Sequence, residues 1–213
     1  MLLDEDNPII LPAGVVNRTE AGCVEIFENI FSDEVAQKII DAVEKSHSDI
    51  FCPLSFGPAF IGSEGQEGGD FRSNLVMPMD RHHSVNGTEC DCGINEIEEY
   101  LKEIYVTCVK FYQEKYQVYV QWDEGFQLLK YGPGKEYKPH SDAGPGHDQR
   151  IVSGIIYLNP SHYEGGGTYF LNYKYNLKPS VPSIALFPSN YAYTHRAKAV
   201  LSGTKYAIVT WMG

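Results

Sequence analysis

The chain has 213 residues, 43% hydrophobic and 13% aromatic, with 28 Asp plus Glu against 17 Lys plus Arg and a formal net charge of -11. This composition is globular and long enough for one well-buried core, which excludes a disordered or collagen-like chain and argues against several domains. A surface of that sign repels phosphate backbones and anionic lipid, so neither nucleic acid nor a membrane surface is an expected partner.

The N-terminal run MLLDEDNPIILPAGVV is acidic where a targeting signal would be basic, and Pro8 and Pro12 break its apolar stretch. It predicts neither a secretory leader nor a membrane span. Cys23, Cys52, Cys90, Cys92 and Cys108 form no C-x-x-C pair and are odd in number, which points to a reducing compartment and a cytoplasmic location. Ser32 and Asp33 are good caps, and Val35, Ile39, Ile40 and Val43 follow at three- and four-residue steps, predicting an amphipathic helix over residues ~33–46. Pro53 to Asp70 is glycine-rich and poor in large apolar residues after its start, and reads as a long mobile loop able to close as a lid. Cys90-Asp91-Cys92 with His82 and His83 matches no usual structural zinc spacing, so a solvated loop is expected there. A second helix begins near Asn95, with Ile97, Leu101, Ile104, Cys108 and Phe111 as its packing stripe and Lys110 and Lys115 near its end, as the helix dipole prefers.

After Gln117 the texture changes to short β-branched and aromatic runs: VYVQW, FQLLKY, IVSGIIYLN, TYFLNY, SIALFP and KYAIVTW. Strand after strand at this spacing predicts a sandwich, jelly roll or barrel. The expected architecture is one α+β domain over residues 1–213, with a helical support region and loop in 1–116 packed on a β core in 117–213.

His140-Ser141-Asp142 is the first chemical signal, because residues i and i+2 of an extended strand leave the same face. His195 lies in YAYTHRAKAV, which reads as another strand of that core. Two histidines and a carboxylate suit one face of an octahedral iron(II), and zinc also accepts them. Lys205, near the start of the apolar run GTKYAIVTWM, either is buried and needs a counter-charge or reaches water from the strand end. Gly165-Gly166-Gly167 precedes neither a helix nor a P-loop lysine, so a hairpin or bulge is expected.

These segments also carry a resemblance. QLLKYGPGKEYKPHSD, QRIVSGIIYLN, EGGGTYF, FPSN, TH and GTKYAIVTW, in that order, resemble the iron(II)- and 2-oxoglutarate-dependent dioxygenases, most closely the prolyl 4-hydroxylase branch, over about residues 117–213. The resemblance implies a double-stranded β-helix, a jelly-roll variant. It implies His140, Asp142 and His195 as iron ligands, Lys205 and Tyr131 on the distal carboxylate of 2-oxoglutarate, and Thr168 as a further residue of that pocket. Glu124, Tyr137, Arg150 and Trp211, with Arg72 from the first half, correspond to groups that touch the peptide substrate. The implied activity is hydroxylation of a C–H bond, with proline in a peptide or protein as leading substrate, Fe(II), 2-oxoglutarate and O2 as cofactor and cosubstrates, and ascorbate as a candidate reductant. The alternatives are hydroxylation of another residue or a small molecule, and a non-catalytic jelly-roll binding module.

Overall fold

The computed structural model describes residues 9–48, 55–61, 66–79 and 94–213. The chain opens with an antiparallel pair, β1 (Val16–Thr19) and β2 (Glu25–Glu28), followed by helix α1 (Asp33–Ser48). α1 starts where its capping residues predict. Val35 N–H donates to Ser32 Oγ at 3.4 Å, Asp33 and Glu34 occupy the first turn, and Lys45 and His47 the last, each charge matched to the helix dipole. Its apolar face, Ala36, Ile39, Ile40 and Val43, is buried.

Short strands follow: β3 (Gly57–Pro58), β4 (Phe60–Ile61), β5 (Gln66–Glu67) and β6 (Leu75–Pro78), then helix α2 (Ile94–Tyr116). α2 ends at Gln117, whose φ of 50° is the left-handed conformation that stops helices. Its stripe packs as predicted, with Leu101 and Cys108 buried and Ile97, Ile104 and Phe111 against the same core. The remaining strands are β7 (Gln127–Tyr131), β8 (Tyr137–His140), β9 (Val152–Tyr157), β10 (Tyr163–Gly165), β11 (Thr168–Phe170), β12 (Tyr175–Leu177), β13 (Ser183–Pro188), β14 (His195–Ala197), β15 (Val200–Gly203) and β16 (Lys205–Met212).

These strands form a jelly-roll core. A major sheet runs β1-β2-β13-β9-β16-β7-β6-β3 and a minor sheet β12-β11-β14-β8, with β10-β15 and β4-β5 as separate pairs. β9 and β16 lie mid-sheet and are buried from end to end, which is why their sequences are unbroken apolar runs. Alternation survives in direction. Tyr206, Ile208 and Met212 join the cluster under the two helices, while Ala207, Val209 and Trp211 join the one between the sheets. Each fully buried aliphatic side chain of this kind contributes ~1.5–3 kcal/mol.

The structure corrects three expectations. VYVQW forms no strand: its Gln121 and Trp122 N–H groups donate to the Gly213 carbonyl at 2.7 and 3.2 Å, just past the end of β16, while Val118 and Val120 N–H groups bond to Gln113 of α2, so the segment has no ladder to join. Residue 116 is no boundary between a helical region and a β core, because β1, β2, β3 and β6 all belong to the major sheet. Within the predicted Pro53 to Asp70 loop, residues 55–61 and 66–70 carry paired strands, Gly57–Pro58 on β6 and β4 on β5. The rest of that loop, and Cys90-Asp91-Cys92 with His82 and His83, lie outside the described residues. Cys23 and Cys108 are free thiols. Among the described residues no helix is long and apolar enough to cross a membrane.

Candidate active site

β8 and β14 are neighbours in the minor sheet with His140 and His195 opposite one another in register, which sets their rings 4.4 Å apart. β14 begins at His195 itself; the preceding Tyr191–Tyr193 is a 3-10 turn rather than part of a strand. β8 ends at His140, so Asp142 stands in the following bend, and strand alternation does not explain its position. The carboxylate nevertheless returns to the histidines. Oδ1 lies 3.6 Å from His140 Nε2 and Oδ2 3.8 Å from His195 Nε2, and the three ligand atoms are all within 4.8 Å of one another.

Side chains from the major sheet bring it back. Ser153 Oγ on β9 donates to Asp142 Oδ2 at 2.6 Å and lies 2.8 Å from Ser189 Oγ, while Ala143 N–H donates to the Ser189 carbonyl at 2.8 Å. Both histidines are oriented by one device: each Nδ1 faces the carbonyl two residues earlier, Lys138 at 2.8 Å and Tyr193 at 3.0 Å. A carbonyl only accepts, so Nδ1 of each ring carries a proton and each Nε2 is turned toward Asp142. Burial, and then the neighbouring His195, holds His140 well below the usual imidazole range. Burial works upward on Asp142, but His195, His140 and hydrogen bonds from Ser153 and Trp211 outweigh it and keep the carboxyl below its ordinary value. Two imidazoles and a carboxylate converging in this way suit a divalent ion such as iron(II) and leave coordination positions open.

Lys205 opens β16 on the face between the sheets and is 2% exposed, so it does not reach water from the strand end. Its Nζ donates to the Gly166 carbonyl at 2.7 Å and lies 5.3 Å from the ring centroids of Tyr131 and Tyr157. Burial, and secondarily the charge of Lys178, pushes its pKa down to about 7, and among the described residues no carboxylate pairs with it. Buried Tyr131 is its register partner across β7 and β16. The glycine triplet is the bulge expected from sequence: Gly165 and Gly166 have φ of 73° and 63°, and a Cβ on Gly166 would meet the Tyr163 ring at 2.8 Å. That turn delivers the carbonyl that holds Lys205. Thr168 Oγ1 and Tyr157 OH are hydrogen-bonded at 2.7 Å nearby.

The triad, Tyr131, Thr168 and Lys205 line one cavity with about 510 Å³ of open space. Arg72, Tyr137, His140, Asp142 and Trp211 line it too, and they also line a wider outer cleft of about 1410 Å³. Tyr137 stacks on His140 at 3.5 Å, and the Arg72 guanidinium lies 4.8 Å from the Tyr137 ring centroid while donating to the Phe60 carbonyl at 2.8 Å. Glu124 and Arg150, both on the cleft, form a bidentate pair at 2.6 and 2.5 Å. All eleven residues singled out from sequence therefore border the cavity or the cleft. Ser153, Ser189 and Tyr157 had no local signal, since each acts on a residue distant in sequence.

The pattern of the 2OG-Fe(II) oxygenase superfamily matches residues 126–213. Over these residues the chain is similar to that superfamily. Its fold recurs in solved structures. A prolyl hydroxylase from Trichoplax adhaerens, in complex with a hypoxia inducible factor oxygen degradation domain peptide fragment, superposes with a TM-score of 0.66 at 18% identity over 89% of this chain and 82% of that one. A viral collagen prolyl hydroxylase from Paramecium Bursaria Chlorella virus-1, in a 2OG complex, gives 0.61 at 19% identity over 90% and 96%. A Pseudomonas putida prolyl-4-hydroxylase gives 0.63 at 14% over 89% and 91%. No curated protein matches the chain in sequence. Fe(II) and 2-oxoglutarate are the metal and cosubstrate of this oxygenase class, and the residues fit both: a His-Asp-His triad, and a buried lysine with no counter-charge among the described residues.

Proposed function

We propose that the chain hydroxylates a proline residue in a peptide or protein. The observation that carries this reading is the triad's position at the junction of a narrow cavity ending in a buried lysine, with no carboxylate partner among the described residues, and a wide open cleft. A small dianion suits the cavity, and a polypeptide segment suits the cleft.

In this reading His140, Asp142 and His195 hold the metal. Lys205 donates to the distal carboxylate of 2-oxoglutarate with the Tyr131 hydroxyl beside it, a charge-assisted contact in a water-poor site, and Thr168 fixes Tyr157 behind it. Fe(II) with 2-oxoglutarate and O2, when bound, supplies the oxidant that replaces C–H by C–OH as 2-oxoglutarate becomes succinate and CO2. The protein orients the cosubstrate and keeps water from the oxidant. Arg72 and Tyr137 form the cleft wall beside His140, and Glu124, Arg150 and Trp211 form another. The prolyl hydroxylases of like fold support proline as the target.

The test is a panel of proline-containing peptides incubated with Fe(II), 2-oxoglutarate and ascorbate, read by mass. A gain of one oxygen on proline, coupled to succinate, is the expected result. Succinate without peptide oxidation would move the substrate to another class. No succinate under any condition would make the chain a binding module.

A further inference from the structure

Arg150 sits on the substrate cleft, yet its charge is already spent. Its Nε and Nη2 donate to the two carboxylate oxygens of Glu124 at 2.6 and 2.5 Å, its Nη1 donates to the Asp142 carbonyl at 3.0 Å, and its guanidinium lies 4.0 Å from the Trp211 ring centroid. The side chain is 9% exposed. A planar fork that binds a carboxylate in two places, a carbonyl in a third and a ring on its face is a demand only arginine meets. Glu124 cancels the charge that an incoming ligand would otherwise meet.

The contacts other than Glu124 converge on one region. Nη1 ties the backbone of Asp142, and Trp211, stacked on the guanidinium, lines the same cavity as the Asp142 carboxylate. Asp142 most needs such support, because it lies beyond the end of β8, where no ladder holds it. Arg150 also closes the loop that Asp142 opens, with its own N–H donating to the His147 carbonyl at 3.2 Å.

We infer that Arg150 is a positioning residue for Asp142, itself fixed by Glu124, rather than a group that contacts the peptide. The inference rests on the reading of His140, Asp142 and His195 as the metal site. The test titrates the apoprotein with Mn(II) and follows free Mn(II) by electron paramagnetic resonance, with melting temperature recorded for each variant. Arg150→Ala is expected to weaken Mn(II) binding about 10–100-fold, as loss of a group supporting a metal ligand does. Arg150→Lys keeps the charge but not the fork and should recover only part. Wild-type Mn(II) affinity in a folded Arg150→Ala would overturn the inference. Should Arg150→Ala fail to fold, Glu124→Gln carries the test: weaker Mn(II) binding supports the clamp, and unchanged binding overturns it. No substrate enters the titration, so a failure of proline hydroxylation and a failure of this inference are read separately.

Discussion

The two ends of the cavity are held in opposite ways. At the triad end every side chain is tied from outside: His140 and His195 by backbone carbonyls, Asp142 by Ser153 on its carboxylate and Arg150 on its backbone carbonyl. At the other end a buried ammonium has one carbonyl and two ring faces, and among the described residues no counter-charge. The metal end is complete as a donor set, whereas the lysine end is costly until an anion arrives. The difference teaches which partner each end awaits: a cation where charge and lone pairs already converge, and an anion where positive charge is stranded.

The largest effect should come from breaking the complete end. Asp142→Ala or His195→Ala removes a ligand outright and should abolish 2-oxoglutarate turnover, losing more metal affinity than the ~10–100-fold that supporting residues cost. Turnover at the wild-type rate in either variant would refute the triad.

Next comes the stranded charge. Lys205→Ala leaves the bound carboxylate unpaired and should raise the 2-oxoglutarate KM by an amount equivalent to ~2–5 kcal/mol, with metal affinity little changed. An unchanged KM would mean that the lysine does not face the cosubstrate. Tyr131→Phe removes only a hydroxyl and should cost less than losing the lysine. A double-mutant cycle should show the two losses to be non-additive, and strict additivity would separate the residues.

The smallest effect is a slope. The folded Lys205, at about 7, lies below the ordinary lysine value near ~10.4. The unfolded chain therefore binds the extra proton between these values, and the stability of the apoprotein should rise with pH from about 7 toward 10. Lys178 adds repulsion in the same direction, and burial keeps Tyr131 and Tyr157 neutral in this window. Melting curves should show a shallower pH dependence in Lys205→Met, and calorimetry in two buffers should show proton uptake when 2-oxoglutarate binds above pH 7. Identical slopes in both proteins would show that the lysine is not the titrating group.

Much of this site was legible because its residues are of types that are conspicuous in their surroundings. A histidine and aspartate two apart, a second histidine in a strand-like run and a lysine in an apolar segment all stand out in one dimension. What was not legible came from pairing across the sheets. Asp142 reaches the histidines through Ser153, eleven residues away on another strand, and not through the alternation of β8. Gly166 read only as a bulge, and its role as the acceptor for Lys205 depends on β10 and β15 turning it inward. VYVQW had strand composition but no partner ladder, since β16 ends beside it.

Local chemistry thus determined the helices with their caps, the buried central strands, and the donor types available to a metal and an anion. Propensity, alternation and charge act over a few residues, and there the sequence is sufficient. Only the tertiary structure decided which face of β16 looks into the cavity, that strands from the first half complete the major sheet, and that Arg150 is spent on Glu124 and Asp142. These depend on register and on contacts between residues far apart in the chain, which no local pattern encodes.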